Sequence, residues 1–309
     1  MIAVDTGVPG QPGFRKYRRG NADGISEIIF TVMSQDHQLP PILTAHLFPK
    51  IEGSLLDLLR SLTPDEWELQ TLAPKWKVKD VAAHLLDTQL RKLSLARDGY
   101  FRPAPPVTDL TAFINQLNQE GVTLYRRLSA PVLISLMELA SRESAAYHAS
   151  LDPFAPAAFA VSWAGEETSL NWFDTAREFT ERWHHQQQIR EAANRPGIAT
   201  PELYHPVLDC FMRALPHSYR NIPADTGTVL EFEISGDCGG VWWLHRDPTA
   251  WRLIDRAEAQ TAAKATIPQE IAWRIFTKGI DRESAVAQTR IQGDSQLGLH
   301  ILSMKAIVG

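Results

Sequence analysis

The sequence has little cysteine, no long hydrophobic run and no large excess of either charge. Its two cysteines, Cys210 and Cys238, can form at most one disulfide, which excludes both a disulfide-rich scaffold and a cysteine-rich zinc module. The longest apolar runs, such as residues 157–164, are far shorter than the roughly 20 residues that a membrane-spanning helix needs. We therefore expect no membrane span.

The charge balance also excludes two classes of partner. The chain has 31 Lys and Arg residues and 36 Asp and Glu residues, a net charge of −5. This balance provides neither a basic surface for nucleic acid nor a polybasic patch for a membrane. Residues 1–24 include a basic cluster but lack the continuous apolar stretch of a secretory signal, so we expect a cytoplasmic protein.

What is present describes an ordinary globular protein. Its 309 residues are 44% hydrophobic and 22% charged, and a chain of this length suits two domains. Nine tryptophans and ten histidines stand out mildly. Their positions along the chain therefore bear on function.

The first long region, residues 41–195, has the period of amphipathic helices. Apolar residues between Leu47 and Leu62 recur at spacings of three and four. Thr63 and Glu66 have the spacing of a capping box and open a short element. We predict an up-down bundle of four or five helices, preceded by a loosely held extension over residues 1–40. Further long helices are expected at residues 78–97, 109–128, 131–150 and 171–193.

The second region, residues 196–309, changes pattern. Apolar and polar residues alternate from Thr228 to Ile234, as in a half-buried strand. We predict a smaller α+β domain with an antiparallel sheet, so that the whole chain is a mixed protein with a helical bundle first. Its other strands are expected at residues 241–245, 251–254 and 285–291, and its helices at 201–217, 268–277 and 295–306, the last capped by Asp294.

Two predicted helices carry polar residues with the spacing of metal ligands. His84 lies in the middle of an apolar helix. Glu181 and His185 are four residues apart, so their side chains lie on one helical face and can bind one ion. Two imidazoles and one carboxylate suit zinc and leave a fourth position open. His184 competes with His185 for the ligand role.

Ordinary roles for these residues remain open at this point. A lone histidine inside a helix is often a core or surface residue, and a Glu/His pair at this spacing is common on exposed helices. Asp80 or Asp87 could accept the other ring N–H of His84. Asp80 could equally serve as a carboxylate near a helix start.

The motif Trp76-x-Val78-x-Asp80-Val81-x-Ala83-His84-Leu85 is followed about a hundred residues later by Glu181-x-x-x-His185. Together they resemble the mycothiol-dependent maleylpyruvate isomerase family, one of the DinB-like metal-binding bundles. The stretch Ile291-Gln292-Gly293-Asp294-x-x-Leu297 is similar to that family's sterol-carrier-protein-like C-terminal domain. The resemblance covers most of the chain after residue 41. Lys77 departs from the Ser or Thr helix cap that the family usually has, and the N-terminal extension is not part of the pattern.

The resemblance implies a metal-dependent and thiol-dependent isomerase. It implies a divalent metal, most simply Zn²⁺, held by His84, Glu181 and His185, and a low-molecular-weight thiol such as mycothiol as cofactor. The metal-activated thiolate would add to the C=C of a maleylpyruvate-like acid, and rotation and elimination would give the trans isomer. Because neither cysteine lies in a nucleophile motif, an external thiol is the simpler source of sulfur.

The resemblance also implies a cation from the C-terminal domain that holds the substrate carboxylates. Four basic residues lie in the right region, and we take Arg274 and Lys278 as the catalytic candidates. The other two are Arg282 and Arg290.

Two other functions remain alternatives. A thiol S-transferase could use the same metal site, and a non-enzymatic protein could bind a metal or a small ligand. In the second case Trp242, Trp243, Trp251 and Trp273 could line an apolar pocket, although core packing explains them as well. The expected partners are a small-molecule substrate and a thiol, with no nucleic acid and no membrane, and the protein is expected to be a monomer or a homodimer.

Overall fold

The computed structural model describes residues 39–101, 109–257 and 260–306. Its first half contains long helices at the predicted places. None of the helices within these ranges is long and apolar enough to cross a membrane. The five helices are α1 (Phe48–Ser61), α2 (Val78–Lys92), α3 (Leu110–Tyr125), α4 (Ala130–Ser150) and α5 (Asn171–Ala192).

The starts of these helices follow from local chemistry. Asp109 accepts a hydrogen bond from the Ala112 amide and caps α3. Asp80 accepts one from the Lys77 amide at 3.1 Å, which satisfies a backbone donor at the start of α2 even though Lys77 is a poor cap. Thr63 and Glu66 do form the reciprocal capping box, but it opens only a single 3₁₀ turn, Glu66–Glu68.

The second half is a five-stranded sheet with short helices. The helices are α6 (Pro201–Met212), α7 (Leu215–Tyr219), α8 (Gln269–Phe276), α9 (Arg282–Ala287) and α10 (Ser295–Leu299). The strands are β1 (Val229–Ser235), β2 (Gly240–Arg246), β3 (Trp251–Ile254), β4 (Ala263–Pro268) and β5 (Arg290–Gly293). Their order is β3-β2-β1-β4-β5. The pairs β1/β2, β2/β3 and β4/β5 are antiparallel as expected, whereas β1/β4 is parallel.

The sequence-based elements differ from the structure in several places. The helix expected at 295–306 is the shorter α10, followed by a 3₁₀ turn at His300–Ser303. The strand expected at residues 285–291 is instead the end of α9, which Asp281 caps, followed by the short strand β5. The strand β4 was not predicted, because Ala263–Pro268 has a single large apolar residue, Ile267, and includes the charged Lys264; it is ordered by pairing with β1. The helix expected at 201–217 is broken into α6 and α7.

The predicted domain boundary near residue 196 stays a prediction. It lies between α5 and α6, but the hydrophobic core runs across it. Trp183 of α5 stacks on Tyr204 of α6 with ring centroids 4.2 Å apart. Trp183 also packs edge-on against Trp273 of α8, so α5 packs against two helices that follow the boundary. Of the predicted extension, residues 1–38 lie outside the described residues.

Candidate metal centre

The predicted ligand His84 is buried on the face of α2 that packs against α5. Its ring lies 4.7 Å from the ring of Trp76 and 4.6 Å from the ring of His185, measured between centroids. Its neighbours from Val81 to Leu86 are apolar and buried, so His84 sits in an apolar stretch of α2. The structure therefore brings together the histidines that the two separate motifs contribute.

The second half of the site is one turn of α5. Glu181, His184 and His185 each offer one ligand atom, and these atoms all lie within 4.8 Å of one another. His185 Nε2 is 3.3 Å from Glu181 Oε2, as the spacing of four residues predicts. His184, which the sequence left as a competitor, is therefore part of the same cluster.

Gln188 joins the two neighbouring histidines of α5, and the sequence analysis did not identify this contact. Its Oε1 is 2.9 Å from His185 Nδ1, and its Nε2 is 3.1 Å from His184 Nε2. The available signal was its position three residues after His185 and four after His184, on the same helical face.

Burial keeps the imidazoles of His84 and His184 neutral. It lowers the pKa of His84 well below its ordinary value, and nearby His185 and Arg91 act in the same direction. Burial likewise lowers the pKa of His184 to about 3. For Glu181, burial alone would raise the pKa, but the contact with His185 outweighs it, so the pKa of this carboxyl is lowered. The cluster thus presents the neutral imidazoles of His84 and His184 near a carboxylate, and neutral imidazole and carboxylate are the forms in which these groups bind metals.

The donor set fits a divalent cation. The Nδ1 atom of His84 is buried and has no hydrogen-bond partner among the residues that the structure describes. Buried polar atoms in folded proteins are normally satisfied, so an unpartnered imidazole nitrogen near this cluster favours a bound ion. Two imidazoles and one carboxylate from two helices are a ligand set typical of catalytic zinc.

The two aspartates expected to orient His84 have other contacts. Asp80 serves the start of α2, as the simpler interpretation had it, and also lies 3.1 Å from Arg126 Nε. Asp87 lies 3.1 Å from Arg91 Nη2, and burial raises the pKa of Asp87. Neither carboxylate accepts a hydrogen bond from His84 Nδ1.

The basic candidates of the C-terminal region occupy different places. Arg274 lies on α8 and donates to Glu191 Oε1 of α5 at 2.7 Å. Its neighbour Trp273 has its ring centroid 5.8 Å from that of His184, so this part of α8 adjoins the cluster. Lys278 is exposed, two residues beyond the end of α8, and partial burial together with Lys305 lowers its pKa. The other two basic residues, Arg282 and Arg290, are exposed on α9 and β5.

Behind the cluster lies a buried network of charges that the sequence analysis missed. Arg182 Nε is 3.1 Å from Glu52 Oε1, and its Nη1 donates to Thr88 Oγ1 at 3.1 Å. Lys92 Nζ is 2.6 Å from Asp174 Oδ2. The spacing of four between Asp174, Glu178 and Arg182 was the available signal, but on a single sequence it resembles a solvated face.

Glu178 connects the two parts of this network. Its carboxylate oxygens lie 3.4 Å from Lys92 Nζ and 3.6 Å from Arg182 Nη2. Burial by itself raises the pKa of Glu178, but the cations Arg177, Lys92 and Arg182 more than reverse this and hold the pKa well below its usual range. The network is therefore charged, and it fixes the face of α5 next to the one that carries His185.

The four tryptophans considered as a ligand pocket pack differently. Trp242, Trp251 and Trp273 are buried in the shared hydrophobic core. Trp243 is half-buried, and its indole N–H donates to Glu231 at 3.1 Å. These contacts agree with the core interpretation of the tryptophans.

Comparison with known families finds one family model that matches the helical region. The family model described as mycothiol maleylpyruvate isomerase N-terminal domain matches residues 48–190. The matched region, slightly less than half of the chain, is therefore similar to the N-terminal domain of this family. The match begins at the first residue of α1 and includes His84, Glu181 and His185.

The solved structures that are similar to this chain share little sequence with it. Two crystal structures of the mycothiol-dependent maleylpyruvate isomerase, one of a histidine-to-alanine mutant, each have 13% identity and cover 77% of this chain and 88% of their own. Their TM-scores are 0.46 for the mutant and 0.45 for the other. A ubiquinone synthesis protein, UbiJ-SCP2, has 12% identity and a TM-score of 0.21, and covers 26% of this chain and 69% of its own. No curated protein matches the sequence.

Proposed function

We propose that this protein is a metal-dependent and thiol-dependent isomerase of the maleylpyruvate type. The observation that carries the proposal is that the ring of His84 from α2 lies 4.6 Å from the ring of His185 on α5, whose Nε2 is 3.3 Å from Glu181 Oε2. The match of the helical region to the mycothiol maleylpyruvate isomerase family model supports the same chemistry. His84, Glu181 and His185 are the proposed metal ligands, and Zn²⁺ is the proposed metal.

In the proposed reaction the residues around the metal site would have separate roles. A zinc ion bound there would lower the pKa of a thiol in its open position, so that the thiolate exists at neutral pH. The three ligands would orient that position, and the apolar residues of α2 around His84 would keep water away from it. Trp76, which stacks against His84, would restrict the orientation of the imidazole.

The direct test is an isomerisation assay on purified protein with maleylpyruvate, mycothiol and zinc. We expect conversion to the trans isomer only when both zinc and thiol are present, and we expect a chelator to abolish it. A product that keeps the thiol attached would favour the S-transferase alternative. Conversion that is unaffected by chelator or by omission of thiol would contradict the proposal.

Arg274 is the residue that we propose to hold a substrate carboxylate. His184, Gln188 and Glu191 lie on one face of α5. Arg274 donates to Glu191, which lies about 10 Å along the helix from His184. Since guanidinium pairs with carboxylates in a bidentate geometry, a carboxylate of the substrate could replace Glu191 as its partner. Lys278 stays a second candidate for this role.

We expect Arg274→Ala to weaken substrate use more than Lys278→Ala. Loss of a charge-assisted contact costs about 1.5–3 kcal/mol, which corresponds to roughly a 10- to 150-fold fall in kcat/KM. Steady-state kinetics at a fixed thiol concentration would measure this fall. Arg290→Ala, on the exposed strand β5, is the matched control and should leave kcat/KM unchanged. A larger effect from Lys278→Ala would transfer the carboxylate-binding role to Lys278.

A further inference from the structure

We infer that Gln188 is a positioning residue, which sets the proton positions of His185 and His184 and thereby makes His185, rather than His184, the metal ligand on this turn of α5. This inference rests on the proposed metal site. It is carried by two contacts of one amide group, at 2.9 Å to His185 Nδ1 and 3.1 Å to His184 Nε2.

The first step concerns His185. A neutral imidazole has one N–H, so it can donate to only one of its two neighbours. Its Nδ1 lies 2.9 Å from Gln188 Oε1, whereas its Nε2 lies 3.3 Å from Glu181 Oε2. The shorter contact places the proton on Nδ1. The Nε2 atom then carries a free lone pair that faces the carboxylate, which is the arrangement that a shared cation requires.

The second step concerns His184. The amide oxygen of Gln188 is used by His185, so its NH₂ group faces His184. An amide nitrogen only donates, and therefore His184 Nε2 must accept. That hydrogen bond occupies the lone pair with which His184 Nε2 could bind a metal. One amide thus frees the ligand atom of His185 and blocks the Nε2 atom of His184.

The third step is that the amide has a fixed place. Gln188 is buried, and it lies on the same face of α5 as the two histidines, three and four residues after them. Hydrogen bonds from outer residues to metal-binding histidines fix the tautomer and typically change metal affinity by about 10- to 100-fold. A residue that contacts both histidines can direct the metal to one of them.

The test compares Zn²⁺ titrations of the wild-type full chain, Gln188→Leu, Gln188→Glu and the matched control Gln187→Leu. We expect Gln188→Leu to bind zinc about 10- to 100-fold more weakly, because His185 loses its acceptor. Gln188→Glu should bind at least as tightly as wild type, because a carboxylate accepts the same proton. Gln187→Leu, which places the same change on the adjacent half-buried position, should equal wild type.

A second readout detects the proton directly in metal-free protein. Long-range ¹H–¹⁵N spectra of histidine side chains should show His185 with its proton on Nδ1 in wild type and in Gln188→Glu. In Gln188→Leu the proton should move to Nε2, where Glu181 is the remaining acceptor. A change in packing alone would not move this proton.

The outcomes separate the inference from the proposed function. Wild-type protein that binds no zinc contradicts the proposed function and, with it, the ligand role of His185. Wild-type protein that binds zinc no more tightly than Gln188→Leu overturns the role of Gln188 alone. If the leucine variant does not fold, a tenfold or greater loss of zinc affinity in Gln188→Glu, or a proton on His185 Nε2 in wild type, overturns it instead.

Discussion

His84→Ala is expected to purify without zinc. The variant removes the ligand that we propose for α2, and it leaves the proposed ligands Glu181 and His185 on a single helix. Losing an outer partner of a ligand already costs about 10- to 100-fold in metal affinity, so we expect the loss of a ligand to exceed about 100-fold. Elemental analysis of purified protein, followed by zinc titration, would measure both effects. Isomerase activity should fall to background at the same time.

Two control variants make this result specific. His46→Ala removes an exposed histidine and should keep one equivalent of zinc. His184→Ala removes the third member of the α5 cluster, and it should retain zinc if the ligand set is His84, Glu181 and His185. Full zinc occupancy in His84→Ala would contradict the assignment. Loss of zinc in His184→Ala, but not in His84→Ala, would move the site onto α5 alone.

Arg182→Met is expected to cause the largest loss of stability among single changes in the bundle. The change leaves Glu52 buried without the guanidinium that lies 3.1 Å from it, and it removes one of the cations near Glu178. Breaking a buried ion pair by removing one partner typically costs about 3–5 kcal/mol. Urea unfolding of the wild-type and variant proteins would give the difference in free energy of unfolding.

The matched control is Arg142→Met, which makes the same substitution on α4. Arg142 is 72% exposed at its side chain, and its nearest carboxylate contact, with Glu143, is 3.6 Å long. Exposed changes of this kind are usually within about 0.5 kcal/mol of wild type. An Arg182→Met variant as stable as Arg142→Met would show that the buried network contributes nothing to the fold.

The sequence predicted the proposed ligand residues better than it predicted the residues that surround them. His84, Glu181 and His185 follow from a motif and from helical spacing, because residues four apart must lie on one face of a helix. Gln188 has the same periodic signal, but an amide contact depends on rotamers that one sequence does not reveal. Aspartates at the expected spacing did not take the predicted role with His84, since stronger local partners, a helix start and Arg91, were available to them.

By itself the sequence determined where the long helices of the first half lie, which residues share a helical face and which chemistry the proposed ligand set suits. These are local properties, set by periodicity, caps and side-chain type within a few residues. Only the tertiary structure decided that β4 is a strand, that it runs parallel to β1, and that Glu52 and Arg182 meet inside the bundle. These pairings join residues far apart in the chain, and their free energy comes from partners that no local pattern contains.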